Sequence, residues 1–494
     1  MQVFPGINEF SEYAKKHNII PVYTEISTDM ETPVSIYYKL VGDNVGYILE
    51  SADSSKNFGR YSFIGTDPFA IATAYLHGVK IETDTSVNFI EGKPTVALKQ
   101  YLESFSAPIL ADLPQLNGGA VGYFAYESVA SWERIRGLEI KEDTVLAEFM
   151  LCKTLLIIDH LTHTTKLAYL VEVDSECCAK DAYDAAVAKL EFLARKLRQP
   201  INYTSNSREN NIKLDTLDTK QFEKAFIEKV LKAKEYIAAG DIFQVVLSQK
   251  FRRKLTKEPF NLYRRLRQVN PSPYMFYINF GSRKLVGASP EMLVKMNKEQ
   301  VVTYPIAGTR PRGQNAEEDS LLAEELLNDI KEKAEHAMLV DLGRNDIGRI
   351  SLPGTVEVTR LMEIEKFSHV MHMVSEVCGK IDPKYSALDA LAACFPAGTV
   401  SGAPKIRAME IINELEDEPR GPYAGAVGYI DFSGNMDTCI TIRTIFIDGD
   451  EAVTQTGAGI VADSVPEKEY QEILHKAKVL FNVLAEEDTH DLAN

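Results

Sequence analysis

A chain of 494 residues, with 45% hydrophobic and 25% charged side chains, can hold two or three domains and has the composition of an ordinary globular enzyme. The formal net charge of −17 excludes a nucleic-acid binder, whose footprint is basic, and disfavours an anionic membrane surface; it leaves room for a locally positive pocket. Six cysteines, with no Cys-x-x-Cys pair and with Cys177 beside Cys178, point to reduced thiols and a cytoplasmic compartment. Met1-Gln2-Val3-Phe4-Pro5 does not read as a secretory leader, and no apolar run approaches the ~20 residues of a membrane span.

In chain order, Val45–Leu49 and Leu155–Ile158 read as strands and Asp181–Leu197 as a helix. Residues 197–215 are rich in Asn, Ser and Gln, so a linker over 201–218 would separate an N-terminal region, 1–200, from a C-terminal region, 219–494. Thr219–Ala239 predicts a strong helix with Phe222, Phe226, Val230 and Ile237 near one face, Asp218 and Gln221 capping its start and Gly240 ending it. Ile242–Ser248 follows as a buried strand. One helix is expected around Glu317–Leu342, and another is opened by Pro466. Strands are spaced irregularly, without strict β-α alternation, which favours an α+β fold of mostly antiparallel sheets.

Both late helices carry a Glu-x-x-Glu pair, Glu332 with Glu335 and Glu469 with Glu472. Residues three apart share a helix face, so each helix can present two carboxylates together. Such spacing also describes a solvated helix face. Brought face to face, the four would repel strongly, and an all-oxygen set of this kind suits Mg²⁺ or Ca²⁺ rather than zinc. Between and around the helices lie Pro305-Ile306-Ala307-Gly308-Thr309-Arg310, Asp341-Leu342-Gly343-Arg344-Asn345-Asp346, His369-Val370-Met371-His372, Pro396-Ala397-Gly398-Thr399, Gly421-Pro422-Tyr423, Ile442-Arg443-Thr444 and Gly457-Ala458-Gly459. The last segment is not a dinucleotide fingerprint, because no β-α-β unit surrounds it, and Gly398–Lys405 lacks P-loop spacing.

In order and spacing this ensemble resembles the chorismate-utilising enzymes, specifically the large subunits (component I) of anthranilate synthase, strongly over residues 220–484 and weakly before them. The resemblance implies their sandwich of antiparallel sheets with helices outside. It implies that Glu335 and Glu472 ligate Mg²⁺, with Glu332 and Glu469 holding metal-bound water. Chorismate is a dianion. Its enolpyruvyl carboxylate would meet Arg443, Tyr423 and the Gly459 amide, with Gly457 and Ala458 alongside, while Gly308, Thr309 and Thr399 line the ring. Lys476 offers either an i,i+4 ion pair with Glu472 or positive charge near the ring carboxylate. Glu291 is the family position for the acid that protonates the departing 4-hydroxyl, and would need a raised pKa; His372 would sit beside the ring.

Relatives that activate water place a lysine where this chain has Gln244, and aminodeoxychorismate-type relatives place one where it has Ala307. With neither lysine, the implied reaction is that of chorismate and ammonia giving anthranilate and pyruvate, the first committed step of tryptophan biosynthesis. Aminodeoxychorismate synthesis and a silent tryptophan-binding subunit are the rival readings. Leu49-Glu50-Ser51, Arg60, and Pro273-Tyr274-Met275 resemble a tryptophan feedback pocket. None of Cys152, Cys177, Cys178, Cys378, Cys394 or Cys439 sits in a nucleophile elbow, so a separate glutamine amidotransferase subunit is the expected source of ammonia.

Overall fold

The computed structural model describes residues 1–52, 59–173, 178–201, 220–255, 257–367 and 370–485, the side chains of Lys220 and Gln221 excepted. Most of the expected linker, the Asp218–Gln221 cap, Cys177, His369 and the last nine residues lie outside that set.

Two long strands, Tyr61–Tyr75 and Ala147–Asp159, organise the molecule. They pair antiparallel along their length, with a register shift between Pro68 and Ala70, and Asp67 there adopts a φ of 55°. A bulge bends and twists a strand, so the pair serves two sheets. Beyond the bend on one side, Gly46–Glu50 pairs with the first strand and Thr164–Glu172 with the second. On the other side the partners are Gly78–Glu82 and Gly119–Phe124.

From Gly46–Glu50 the first sheet continues through Tyr274–Asn279, Arg283–Ser289, Thr444–Asp448, Glu451–Ile460 and Gln244–Lys254, and ends on the two-residue strand Gly402–Ala403. From Gly119–Phe124 the second runs through Ala426–Asp431, Met436–Ile440, Met292–Asn297 and Gln300–Thr303 to Val370–Lys380. Strands from either side of residues 201–218 are therefore hydrogen-bonded neighbours in both sheets. Tyr47, Val121, Met150, Ile157, Phe276 and Val427 are buried in one shared core. Helices Pro33–Leu40, Ala179–Leu197, Pro259–Val269 and Pro466–Ala485 cover the first sheet, with Ile36, Leu190, Phe260 and Leu480 packed on Ile48, Ile64 and Val286. This is the expected α+β sandwich.

The helix expected at Thr219–Ala239 spans Lys220–Ala238. Phe226 and Val230 are fully buried, and Gly240, at φ 81°, turns the chain out of it. One expectation fails. The helix around Glu317–Leu342 is two helices, Ala316–Asn328 and Ile330–Gly348. Asp329 breaks them at φ −70° and ψ 112°, and its carboxylate accepts from the N–H groups of Lys331 and Glu332 at 3.0 and 3.1 Å. Asp-x-x-Glu is a helix-start pattern, and it outweighs the continuous spacing of apolar residues. Glu332 thereby falls in the first turn, where the helix dipole favours a carboxylate.

Candidate active site

The two acidic helices, Ile330–Gly348 and Pro466–Ala485, face one another closely enough for the charge of Lys331 to act on Glu469. Burial first, and then the neighbouring carboxylate on the same helix, raises the carboxyl pKa of both Glu332 and Glu469. Each pair has a cation at its side. Arg310 reaches Glu332 at 3.5 Å while also binding Glu325 and Asp329 at 3.0 Å. Lys476 pairs with Glu472 at 2.6 Å and donates to the Gly457 carbonyl at 3.0 Å. The i,i+4 ion pair is thus formed, and it also ties the second acidic helix to the glycine strand. Among the described residues, no three acidic, His or Cys groups converge into a ready-made metal cage. The donor set itself, carboxylates only, has the chemistry of a hard-cation site.

Gly457, Ala458 and Gly459 lie in the strand Glu451–Ile460, opposite Ser248, Leu247 and Val246. A Cβ on Gly457 would stand 2.6 Å from the Tyr423 hydroxyl, and one on Gly459 would stand 2.7 Å from Gln244 Nε2. Gly457 is hemmed in, since that Cβ would also lie 3.0 Å from the Leu247 carbonyl, whereas at Gly459 the contact is with the movable end of a side chain. Gln244 Nε2 in turn donates to Glu335 at 3.4 Å. Arg443, with a φ of 49°, is buried enough to lower its pKa, and Glu291 is the acid whose charge opposes that.

Glu291 accepts a hydrogen bond from Thr399 Oγ1 at 2.9 Å, and its backbone carbonyl accepts from the Ile440 N–H at 3.0 Å. Burial lifts its carboxyl to about 7, against the opposing pull of Thr399, Arg443 and Lys476. Glu291 and Thr399 border a cavity of about 50 Å³ shared with Thr303, Pro305, Leu339 and Ile440. His372 Nδ1 lies 3.1 Å from the Gly308 carbonyl and 3.0 Å from Thr309 Oγ1. A carbonyl only accepts, so Nδ1 carries the proton and neutral His372 keeps a lone pair on Nε2. Burial lowers its pKa and favours that neutral form. Gly308, at φ 69°, abuts Glu332, where an added Cβ would lie 3.1 Å from the carboxylate. His336, next to Glu335, points away into the core and meets Ser375 at 2.6 Å.

The other group of expected residues lies along the Glu50–Met275 pairing. Glu50 is buried, and it is held by the Tyr263 hydroxyl and by Arg267 at 3.0 Å. Ser51 Oγ is buried with no hydrogen-bond partner among the described residues. Met275 is buried, Pro273 half-buried, and Tyr274 donates to Asp437 at 2.9 Å. Arg60 stands one step beyond Tyr61 in the register of the strand paired with Gly46–Glu50, with its fork taken by Asp159 at 2.8 Å and its side chain half exposed.

The model of the chorismate binding enzyme family matches residues 56–482. Anthranilate synthase component 1 of Acetivibrio thermocellus is 45% identical over 493 residues, which span 98% of this chain and 99% of that one. This chain belongs to the anthranilate synthase component 1 family. The Aquifex aeolicus component 1 is 44% identical, with 97% of each chain covered. Among solved structures, anthranilate synthase component I of Streptococcus pneumoniae superposes with a TM-score of 0.71 at 36% identity, over 92% of this chain and 98% of that one. The menaquinone-specific isochorismate synthase of Escherichia coli, at 18% identity and a TM-score of 0.70 over 97% of this chain and 98% of its own, shares the fold. Membership makes the chain a chorismate-to-anthranilate enzyme. No helix of the described residues is long and apolar enough to cross a membrane.

Sequence reasoning gave no role to three residues that the structure buries or pairs close to the site, Arg310, Arg420 and Glu416. Arg310 follows Gly308-Thr309 directly and could have been found from that position. Arg420 and Glu416 carried no signal, because a lone Arg and a lone Glu in a surface-like stretch do not announce burial.

Proposed function

We propose that the chain condenses chorismate with ammonia, in an Mg²⁺-dependent reaction, to give anthranilate and pyruvate. What carries the reading is Glu291, a buried carboxyl at about 7 that Thr399 holds at 2.9 Å within reach of the charge of Arg443. Protonation of the 4-hydroxyl, which leaves as water, needs an acid still protonated near neutrality. Arg443 and the Tyr423 hydroxyl would hold the enolpyruvyl carboxylate, with the Gly457–Gly459 strand closing against it. Thr399 orients the acid, and Gly308 and Thr309 fix His372 so that its Nε2 lone pair faces outward to accept the ring proton lost as pyruvate departs.

Glu335 and Glu472 would hold Mg²⁺, with Glu332 and Glu469 behind them. The metal would take the ring carboxylate and draw electron density toward it. The amide of Gln244 is no base, so water is not activated there and ammonia is the better nucleophile. The ammonia would come from a glutamine amidotransferase partner, since four of the five described thiols, Cys152, Cys378, Cys394 and Cys439, are buried. Tryptophan would inhibit by filling the pocket at Ser51, whose orphaned hydroxyl awaits a polar partner. On this reading the reaction would stand at the entry to tryptophan biosynthesis, in the cytoplasm.

The test is to mix the purified chain with chorismate, ammonium and Mg²⁺ and identify the product by fluorescence and chromatography. Anthranilate is expected. Aminodeoxychorismate or isochorismate as end product would contradict the reading, and tryptophan binding without turnover would make the chain a regulatory subunit.

A further inference from the structure

The strand Gln244–Lys254 carries Gly457–Gly459 on one edge. Its other edge is served by Gly402–Ala403, which pair only with Val245 and Gln244, and by Ser401, whose carbonyl takes the Val246 N–H at 2.9 Å. Past that point the Val246 carbonyl and the Ser248 N–H have no strand beside them, and a sheet interior demands that both be paired. The partners are side chains. Arg420 Nη2 donates to the Val246 carbonyl at 2.7 Å, and Glu416 Oε1 accepts from Ser248 N and Oγ, each at 2.8 Å. Arg420 and Glu416 are joined by a two-pronged ion pair at 2.7 and 2.8 Å, and their side chains are only 2% and 7% exposed.

This pair also reaches the other walls of the site. Arg420 Nη1 donates to the Val400 carbonyl at 2.7 Å, one residue from Thr399, which orients Glu291. The guanidinium lies 4.8 Å from the Tyr126 ring centroid and 5.7 Å from that of Tyr423. Buried Glu127 fixes the backbone from below by accepting from the Arg420 and Gly421 N–H groups at 2.6 and 3.0 Å.

We infer that the buried Arg420–Glu416 pair stands in for a missing strand and sets the relative positions of three substrate-lining elements: Gly457–Gly459, Tyr423 and the Thr399–Glu291 bond. These are positioning residues, since neither is placed to touch substrate. A planar fork supplies the separate donors to Glu416, Val246 and Val400, which a lysine cannot span. Misplacement of substrate-holding groups by about 1 Å can cost on the order of 100-fold in rate. The inference rests on the substrate-contact roles proposed above for Tyr423 and Glu291.

The experiment compares Arg420→Lys and Glu416→Gln with Tyr423→Phe, and with Arg283→Lys as a control. Arg283, at the end of its first-sheet strand away from Ser289, pairs with buried Glu148 on the second sheet at 2.5 Å. Glu416→Gln keeps an acceptor for Ser248 and is the variant expected to fold most readily. Steady-state kinetics and thermal melting are measured on all four. Arg420→Lys and Glu416→Gln are expected to raise the chorismate KM about tenfold or more and to shift the pH dependence of kcat, because Glu291 loses its fixed partner. Arg283→Lys should lower the melting temperature with KM unchanged. Unchanged KM and pH profile in folded Glu416→Gln would overturn the inference, as would failure of both pair variants to fold, which would make the pair a folding determinant alone. An unaltered Tyr423→Phe would instead count against the substrate-contact reading.

Discussion

Glu291 and Glu50 are both enclosed carboxyls on the first sheet or beside it, and the molecule treats them oppositely. Glu50 is saturated by Arg267 and the Tyr263 hydroxyl. Glu291 has one hydroxyl, that of Thr399, and no ion-pair partner among the described residues. Their surroundings differ in the same way. In the acidic cleft the Glu332 and Glu469 carboxyls are raised by burial and by like charge, whereas around Ser51 the buried groups without a partner among the described residues are neutral, the Ser51 hydroxyl and the Asn270 amide. Undercompensated charge is costly and persists where a bound ion or a reaction step answers it. A region whose charges are satisfied and whose unpartnered groups are neutral offers hydrogen bonds without acid or base chemistry, in keeping with the regulatory role proposed for it.

Breaking the cleft side should give the largest effect. Glu335→Gln or Glu472→Gln removes a charged oxygen ligand from a hard cation and should cost at least ~2 kcal/mol in kcat/KM. Wild-type rates at limiting Mg²⁺ in either variant would remove those residues from the metal site. On the pocket side, Ser51→Phe should abolish most of a tryptophan effect coupled by ~1–3 kcal/mol while leaving uninhibited turnover intact. Inhibition curves that superimpose on wild type would show that the orphaned hydroxyl is not the ligand's partner. A smaller effect sharpens the boundary of the cleft: Gly459→Ala forces a Cβ to within 2.7 Å of Gln244 Nε2 and should raise the chorismate KM by about 1 kcal/mol in equivalent terms. Crystallography of that variant with Gln244 undisplaced and KM unchanged would argue against the close fit.

Of the cleft, the two carboxylate pairs were legible from helical spacing alone, whereas Glu291, His372, Thr399, Tyr423 and Arg443 could be picked out only through the ordered motifs that carry the family resemblance. The α+β class followed from the irregular spacing of strands. Asp329 shows the limit of periodicity, since a cap can restart a helix without disturbing the apolar pattern. The partner of Arg60 could not be read from position along the chain, because Asp159 comes from a strand almost 100 residues later. The pairing of Gly46–Glu50 with Tyr274–Asn279, and of Arg420 with the edge of a strand some 170 residues earlier, could not be read at all. Each depends on which distant backbone groups are left without partners once the sheets have formed.

The contrast between the two carboxyls is tested most directly by the pH dependence of kcat, extrapolated to saturating ammonia at each pH. A carboxyl whose pKa is raised to about 7 stays protonated, and able to donate, on the acid side of that value. The rate should therefore fall as pH rises through about 7. Glu291→Gln should lower kcat by roughly 10²–10⁴-fold and erase that alkaline fall. An alkaline fall that survives intact in Glu291→Gln, with a rate near wild type, would contradict the assignment of Glu291 as the acid.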